Sequence, residues 1–157
     1  MSIENVREYL KQFNLQDKVI ELKEETGTVE QAALALGCEG KQIAKTMAFN
    51  VNDGAVLVLL AGDTKVDNSK FKAFFGVKAK MLTAEELDNF VGHKMGGVCP
   101  FAIKENVKVY LDESLKRFEI VYPAAGTDHS AVKLTIPELE KSSSYISWVD
   151  IGKLREC

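Results

Sequence analysis

Residues 42–49 read Gln42-Ile43-Ala44-Lys45-Thr46-Met47-Ala48-Phe49, and the turn-forming triplet Asn52-Asp53-Gly54 follows them. The alternation of large apolar and small residues predicts a β-strand that enters a hairpin. Residues two apart share a strand face, so Lys45 is expected among large apolar side chains on a buried face. An ammonium group there is costly without a partner. Lys45 is therefore either a functional side chain or a lysine whose ammonium reaches solvent at a sheet edge.

The hairpin leads into residues 55–61, a continuous apolar run that predicts a strand buried on both faces. Two capping boxes, Thr28 with Gln31 and Thr83 with Glu86, predict the starts of two helices, and Gly37 predicts the end of the first. The remaining predicted helices cover residues 2–13, 68–75 and 137–141, and the remaining predicted strands cover residues 19–22, 77–81, 107–111, 117–122, 130–135 and 147–150.

These segments predict an α+β fold, because about seven strands and four or five short helices do not alternate strictly. The sheet is expected to be mixed and largely antiparallel, with the short helices around it. A chain of 157 residues is long enough for one core and short for two, so a single domain over residues 1–157 is predicted.

The composition is that of an ordinary globular protein, with 46% hydrophobic and 27% charged residues. No apolar run approaches the length of a membrane span, so no membrane association is expected. The N-terminal residues lack a basic segment followed by an apolar one, so the cytoplasm is the expected location.

The three cysteines lie far apart in the sequence, which indicates neither a disulfide framework nor a zinc site, and His93 and His129 have no nearby Cys or His partner at ligand spacing. We therefore expect no metal and no cofactor. The formal net charge of −3 indicates weak long-range attraction to nucleic acid, and no DNA partner is expected. One group of lysines is either a local basic patch or a solvated face: Lys65, Lys70, Lys72, Lys78 and Lys80.

Residues 92–101 form the second notable stretch, with three glycines and a proline among apolar residues. This composition excludes a regular helix or strand and predicts a packed loop. Glycines let a backbone approach a ligand closely and direct its N–H groups toward it. An ordinary tight turn between a helix and a strand explains the same residues.

Three stretches together resemble the YbaK/EbsC-type aminoacyl-tRNA deacylases, which are relatives of the editing domain of bacterial prolyl-tRNA synthetase. The first is Lys45-Thr46. The second is Gly96-Gly97-Val98-Cys99-Pro100, which matches the family's Gly-x-x-x-Pro loop. The third runs from Val121 to Gly126 and continues through residues 132–134 and the helix at Pro137. Their order and spacing agree over nearly the whole chain.

The resemblance implies a partly barrel-like sheet and hydrolysis of the ester that joins a wrong amino acid to the terminal adenosine of a tRNA. It implies a catalytic role for Lys45, Gly96 and Gly97, with backbone N–H groups of the glycine loop stabilising charge on the carbonyl oxygen. The implied substrate-binding residues are Thr46, Val98, Pro100, Gly126 and His129.

The implied partners are the aminoacyl-tRNA acceptor end and, as a second candidate, prolyl-tRNA synthetase, with the protein acting as a monomer or a weak dimer. The expected substrate is a tRNA mischarged with a small amino acid such as cysteine, alanine or serine.

The sequence departs from the family's usual pattern at one turn. Many members have Ser-Gly-Gly followed by an aspartate, whereas this chain has Ala124-Ala125-Gly126 and Ala131. His129 follows the same turn and either replaces part of that function or is a surface histidine. A non-catalytic module that binds an amino acid or charged tRNA, and a hydrolase of another small ester, are therefore alternative functions.

Overall fold

The computed structural model describes residues 2–154. The helices are α1 (Ser2–Lys11), α2 (Val29–Leu36), α3 (Asn68–Phe75), α4 (Ala84–Glu86) and α5 (Ile136–Ser143). The strands are β1 (Val19–Glu21), β2 (Ile43–Val51), β3 (Gly54–Ala61), β4 (Thr64–Val66), β5 (Lys108–Asp112), β6 (Ile120–Pro123), β7 (Ser130–Val132), β8 (Leu134–Thr135), β9 (Ser147–Val149) and β10 (Gly152–Leu154).

Six strands form the main sheet, a curled half-barrel in the order β8-β6-β2-β3-β5-β9. Strand β2 runs antiparallel to β3 and parallel to β6, while β5 runs parallel to both β3 and β9. Two small antiparallel sheets, β1-β7 and β4-β10, complete the strands of residues 2–154. The α+β class and the mixed, partly barrel-like sheet expected from the sequence are confirmed.

The β2–β3 hairpin is the centre of the sheet. Its two loop residues, Asn52 and Asp53, have positive φ values of 51° and 63°, as the type I′ turn of a two-residue hairpin requires. Strand β3 is buried from Ala55 to Ala61, as its apolar sequence predicts. The sheet separates two apolar clusters, because one face contributes to a core with α1 and α5 and the other packs on α3.

The predicted alternation along β2 is correct, but both of its faces are covered. Ala44 and Ala48 belong to the larger core, whereas Phe49 and Met47 pack with the cluster around Phe71. Lys45 is half-buried. The face of β2 that carries Lys45 is therefore apolar but still partly accessible to solvent.

Helix boundaries follow the predicted signals. Thr28 and Thr83 form complete capping boxes at the starts of α2 and α4. Gly37 ends α2, and Gly76 ends α3, both in the left-handed region. Helix α4 continues as a π-helical turn from Leu87 to Val91, and α1 ends at Lys11, two residues before the predicted end.

Three predicted strands need correction. Residues 77–81 form no strand and contribute a single bridge, between Met81 and Phe49. The strand predicted at 117–122 begins at Ile120, because the Asp112 carboxylate accepts from the Ser114 N–H and starts a 3₁₀ turn over residues 113–117. The strand predicted at 130–135 is divided at Lys133, whose N–H donates to the Lys18 carbonyl.

Strands β4 and β10 were not predicted, since each has three residues and gains its hydrogen bonds only from the other, far along the chain. None of the helices in residues 2–154 has the length and apolar content that crossing a bilayer requires.

Candidate active site

A cavity of about 270 Å³ opens beside the N-terminal half of β2. Six segments contribute to its wall: the start of α2, strand β2, the segment 81–87, the glycine-rich loop 92–101, strand β6 with the residue after it, and strand β7. The described lining residues are Thr26, Gly27, Thr28, Val29, Ala32, Ile43, Ala44, Lys45, Thr46, Met47, Ala48, Met81, Leu82, Leu87, Met95, Gly96, Val98, Tyr122, Ala124, Ser130 and Ala131.

Lys45 carries the one charged side chain among these described lining residues. The surrounding wall is apolar apart from a few hydroxyl groups, so the positive charge acts in a less screened environment than on the open surface. The cavity therefore favours a ligand with a phosphate, a carboxylate or a developing oxyanion near Lys45 and a neutral group elsewhere.

Three polar side chains of the wall, those of Thr26, Ser130 and Thr46, differ in their hydrogen bonding. The Thr26 hydroxyl accepts from the Ser130 N–H at 3.1 Å, and the Ser130 hydroxyl lies 2.6 Å from that of Thr127. The Thr46 hydroxyl is buried and has no hydrogen-bond partner among the described residues. A buried hydroxyl without a partner is costly, so Thr46 is the position at which a ligand would gain most from a polar contact.

The glycine-rich loop lines the cavity through Met95, Gly96 and Val98. Gly96 has a φ of +87°, which glycine adopts without strain. The loop's two ends are tied together, because the ring Nε2 of buried His93 lies 2.7 Å from the Phe101 carbonyl oxygen. This places Gly96 and Val98 on a fixed wall rather than on a loose turn.

Gly97 packs closely against the turn at Gly126. A Cβ at this position would lie 2.5 Å from the Gly126 carbonyl carbon and 2.6 Å from the Thr127 nitrogen. Its own N–H donates to the Lys94 carbonyl at 3.0 Å. Gly97 is therefore required for close packing of the loop on the Gly126–Thr127 peptide, and its amide is already used.

The remaining expected residues lie around the cavity but do not line it. Pro100 is buried, and Gly126 supports the glycine loop with a φ of +94°. His129 is half-buried, and its Nδ1 lies 2.9 Å from an Asp128 carboxylate oxygen. Of the eight expected site residues, Lys45, Thr46, Gly96 and Val98 line the cavity, whereas Gly97, Pro100, Gly126 and His129 are not among its described lining residues.

His93 and Cys99 form a buried polar pair inside the loop. Burial lowers the pKa of His93 and raises the pKa of the Cys99 thiol to about 12. The Cys99 sulfur lies 3.5 Å from His93 Nε2. In residues 2–154, no group of three or more His, Cys, Asp or Glu side chains is placed to hold a metal ion.

Sequence reasoning missed Thr26, Tyr122 and the methionines of the wall. Tyr122 pairs with Ile43 in the parallel β2–β6 ladder, and burial raises the pKa of its hydroxyl. The chain has four methionines, and Met47, Met81 and Met95 all line this cavity, while Met1 lies outside the described residues. No local sequence signal marks these residues, since only the fold brings them together.

Comparisons with known proteins agree with this architecture. The profile of the aminoacyl-tRNA editing domain matches residues 23–142. The protein YwhH of Bacillus subtilis (strain 168), described as uncharacterized, is 43% identical over 154 residues, which cover 98% of each chain. A solved structure described as a candidate trans-editing enzyme for prolyl-tRNA synthetase superposes with a TM-score of 0.87 at 31% identity and covers 97% of both chains.

A proline–tRNA ligase of Lactiplantibacillus plantarum is 26% identical over 131 residues, which are 83% of this chain and 23% of the ligase. The match to the editing-domain profile includes β2 and the glycine loop, the two elements that bring Lys45 and Gly96 to the cavity. The chain belongs to the aminoacyl-tRNA editing domain family, which implies a deacylase-type role.

Proposed function

We propose that this protein is a trans-acting aminoacyl-tRNA deacylase, which hydrolyses the ester of a mischarged tRNA. The observation that supports this most is a lysine in a small cavity whose other described lining residues are uncharged, next to a fixed glycine loop. An aminoacyl ester needs little activation, so the enzyme has to place it, admit a water and stabilise negative charge on the carbonyl oxygen.

In the proposed reaction, a water oxygen attacks the ester carbonyl carbon. The bond between that carbon and the ribose oxygen breaks, and the ribose hydroxyl leaves with a proton. Lys45 binds a phosphate or ribose oxygen of the terminal adenosine and holds the ester over the cavity. Gly96 belongs to the same wall, so its backbone would lie beside the bound ester.

The proposed substrates carry a small, neutral amino acid, with alanine, cysteine and serine as the first candidates. Small residues form much of the wall, and they are the alanines Ala32, Ala44, Ala48, Ala124 and Ala131 together with two glycines. A cavity of about 270 Å³ lies just below the usual range of ligand pockets, about 300–1,000 Å³. It would admit the aminoacyl group and leave the nucleoside at its mouth.

The proposed partners are the acceptor end of a charged tRNA and, for delivery of that tRNA, a prolyl-tRNA synthetase. The protein would act as a monomer or a weak dimer in the cytoplasm, where tRNA is charged. The relationship to proline–tRNA ligases supports a tRNA(Pro)-type substrate.

The test is a deacylation panel with alanyl-, cysteinyl-, seryl- and threonyl-tRNA. Lys45→Ala is expected to lower kcat/KM by roughly a hundredfold or more. The matched control is Lys65→Ala, which removes an exposed lysine of β4. If the protein binds these tRNAs but hydrolyses none of them, the alternative function of a non-catalytic binding module is favoured. The alanine-rich turn at Ala124-Ala125 is the feature of the chain that supports this alternative.

A further inference from the structure

Strand β2 has an unfilled position on the edge that faces away from β3. The hairpin closes on Val51 and Gly54, so the odd-numbered residues of β2 exchange hydrogen bonds with β3. The N–H and C=O groups of the even-numbered residues consequently point to the other edge. On that edge, Ala44 pairs with β6, the Ala48 carbonyl accepts from Leu82, and the Asn50 N–H donates to Lys80.

Thr46 lies between these contacts. The β2–β6 ladder stops at Ala44, and none of the described backbone hydrogen bonds on this edge falls on Thr46. Thr46 also lines the cavity, where its buried side-chain hydroxyl lacks a described partner. One N–H and one C=O of a strand edge thus face a cavity instead of a neighbouring strand.

From this gap we infer that the main chain of Thr46 binds the aminoacyl group as a one-residue strand. The inference rests on the proposed deacylase function and deepens it. An aminoacyl ester presents an α-ammonium donor and a carbonyl acceptor on adjacent atoms, as a strand residue does. The ammonium donates to the Thr46 carbonyl oxygen, and the ester carbonyl accepts from the Thr46 N–H. This is β-strand addition reduced to a single residue.

The arrangement has a chemical consequence. The Thr46 N–H is held by a strand that β3 supports along its length, so it costs little reorganisation when charge develops on the carbonyl oxygen. The Thr46 carbonyl selects for a free α-ammonium group, since hydrogen bonds to charged groups are the stronger ones. The side chain of the neighbouring Lys45 then contacts the ribose or phosphate of the same substrate.

The experiment uses a stable analogue, 3′-alanylamino-3′-deoxyadenosine, in which an amide replaces the ester, and its 3′-propionylamino counterpart, which lacks the ammonium. Backbone amide hydrogen exchange is followed by NMR on the full chain. The Thr46 amide is expected to exchange faster than that of Asn50, whose N–H is bonded on the same edge. The alanyl analogue should slow exchange at Thr46 and leave Asn50 unchanged.

The alanyl analogue should bind at least about tenfold more tightly than the propionyl analogue, the factor expected for a hydrogen bond to a charged group. Thr46→Val retains the main chain and removes the hydroxyl, so the ratio of the two affinities should persist. Equal affinities, no binding of the alanyl analogue, or binding that leaves the Thr46 amide unprotected would overturn the inference. Loss of the ratio in Thr46→Val would overturn it too, because the hydroxyl would then be the group responsible. The proposed function is judged separately, by turnover of charged tRNA.

Discussion

Replacing Gly97 with alanine tests the packing on which the glycine loop depends. The new Cβ would lie 2.5 Å from the Gly126 carbonyl carbon and 2.7 Å from its oxygen, well inside the 3.4 Å at which ordinary contact begins. The contacted atoms are backbone, which cannot rotate away. Gly97 has no positive φ, so crowding is the whole of the native-state effect.

The expected cost follows from two opposing contributions. Overpacking costs about 1–3 kcal/mol, and more where backbone has to move. Replacing glycine also lowers the conformational entropy of the unfolded chain, which stabilises the folded protein by about 0.4–1 kcal/mol. We expect Gly97→Ala to lower the free energy of unfolding by about 2 kcal/mol, which lowers Tm by roughly 4–8 °C in a chain of this size. Because Gly96 and Val98 move with the loop, kcat should fall by roughly tenfold to a hundredfold at 25 °C.

Gly76→Ala is the matched control. Gly76 ends α3 with a φ of +79°, and a Cβ added there would meet nothing within 4 Å, so its replacement adds backbone strain without crowding. That variant should lose about 1 kcal/mol of stability and keep its turnover. Chemical denaturation and deacylation kinetics of both variants separate the two effects. Wild-type melting and wild-type turnover in Gly97→Ala would refute the assigned contact.

Three further outcomes are expected. Lys45→Ala should lose activity but unfold cooperatively, with a free energy of unfolding within about 1 kcal/mol of the wild type, because removing a half-buried charge need not destabilise. Loss of the cooperative transition would instead show that Lys45 is structural. Burial lowers the pKa of His93 below its ordinary value of 6.5, so on acidification this histidine takes up a proton in the unfolded chain before it does so in the folded one. The free energy of unfolding should therefore be full above pH 6.5 and fall as the pH drops through that value. Urea denaturation at two pH values checks this, and the decline should persist in His129→Gln but vanish in His93→Gln. Substrate affinity should fall with salt at a logarithmic slope near −0.7 for each of about two or three phosphate contacts, and a much steeper slope would indicate a broad tRNA-binding face.

Local signals sufficed wherever a residue and its immediate neighbours determine the structure. The capping boxes at Thr28 and Thr83 and the Asn52-Asp53 hairpin turn are of this kind, because their hydrogen bonds and φ values are set within four residues. The apolar run of β3 likewise predicted a strand buried on both faces. The face on which Lys45 lies followed from simple strand alternation.

Features that depend on distant segments could not be predicted. Strands β4 and β10 exist only because they meet, and the strand at 130–135 divides because β1 competes with β6 for it. The same limit applied to the site. Gly97 carried the glycine signal of a ligand-binding loop, yet its neighbour is the Gly126–Thr127 peptide, about thirty residues on. A glycine required by another backbone and one required by a ligand look alike in a sequence.

The three methionines of the cavity wall also make the site chemically vulnerable. Met81 and Met95 are 55% and 61% exposed, whereas the Cys99 thiol is fully buried with its pKa raised to about 12 and is therefore unreactive. Peroxide would turn the two exposed thioethers into polar sulfoxides, which a methionine sulfoxide reductase reverses. Oxidation of these side chains would thus reversibly lower the proposed deacylase activity. Full turnover after mass spectrometry has shown both sulfoxides would place these side chains outside the path of the substrate.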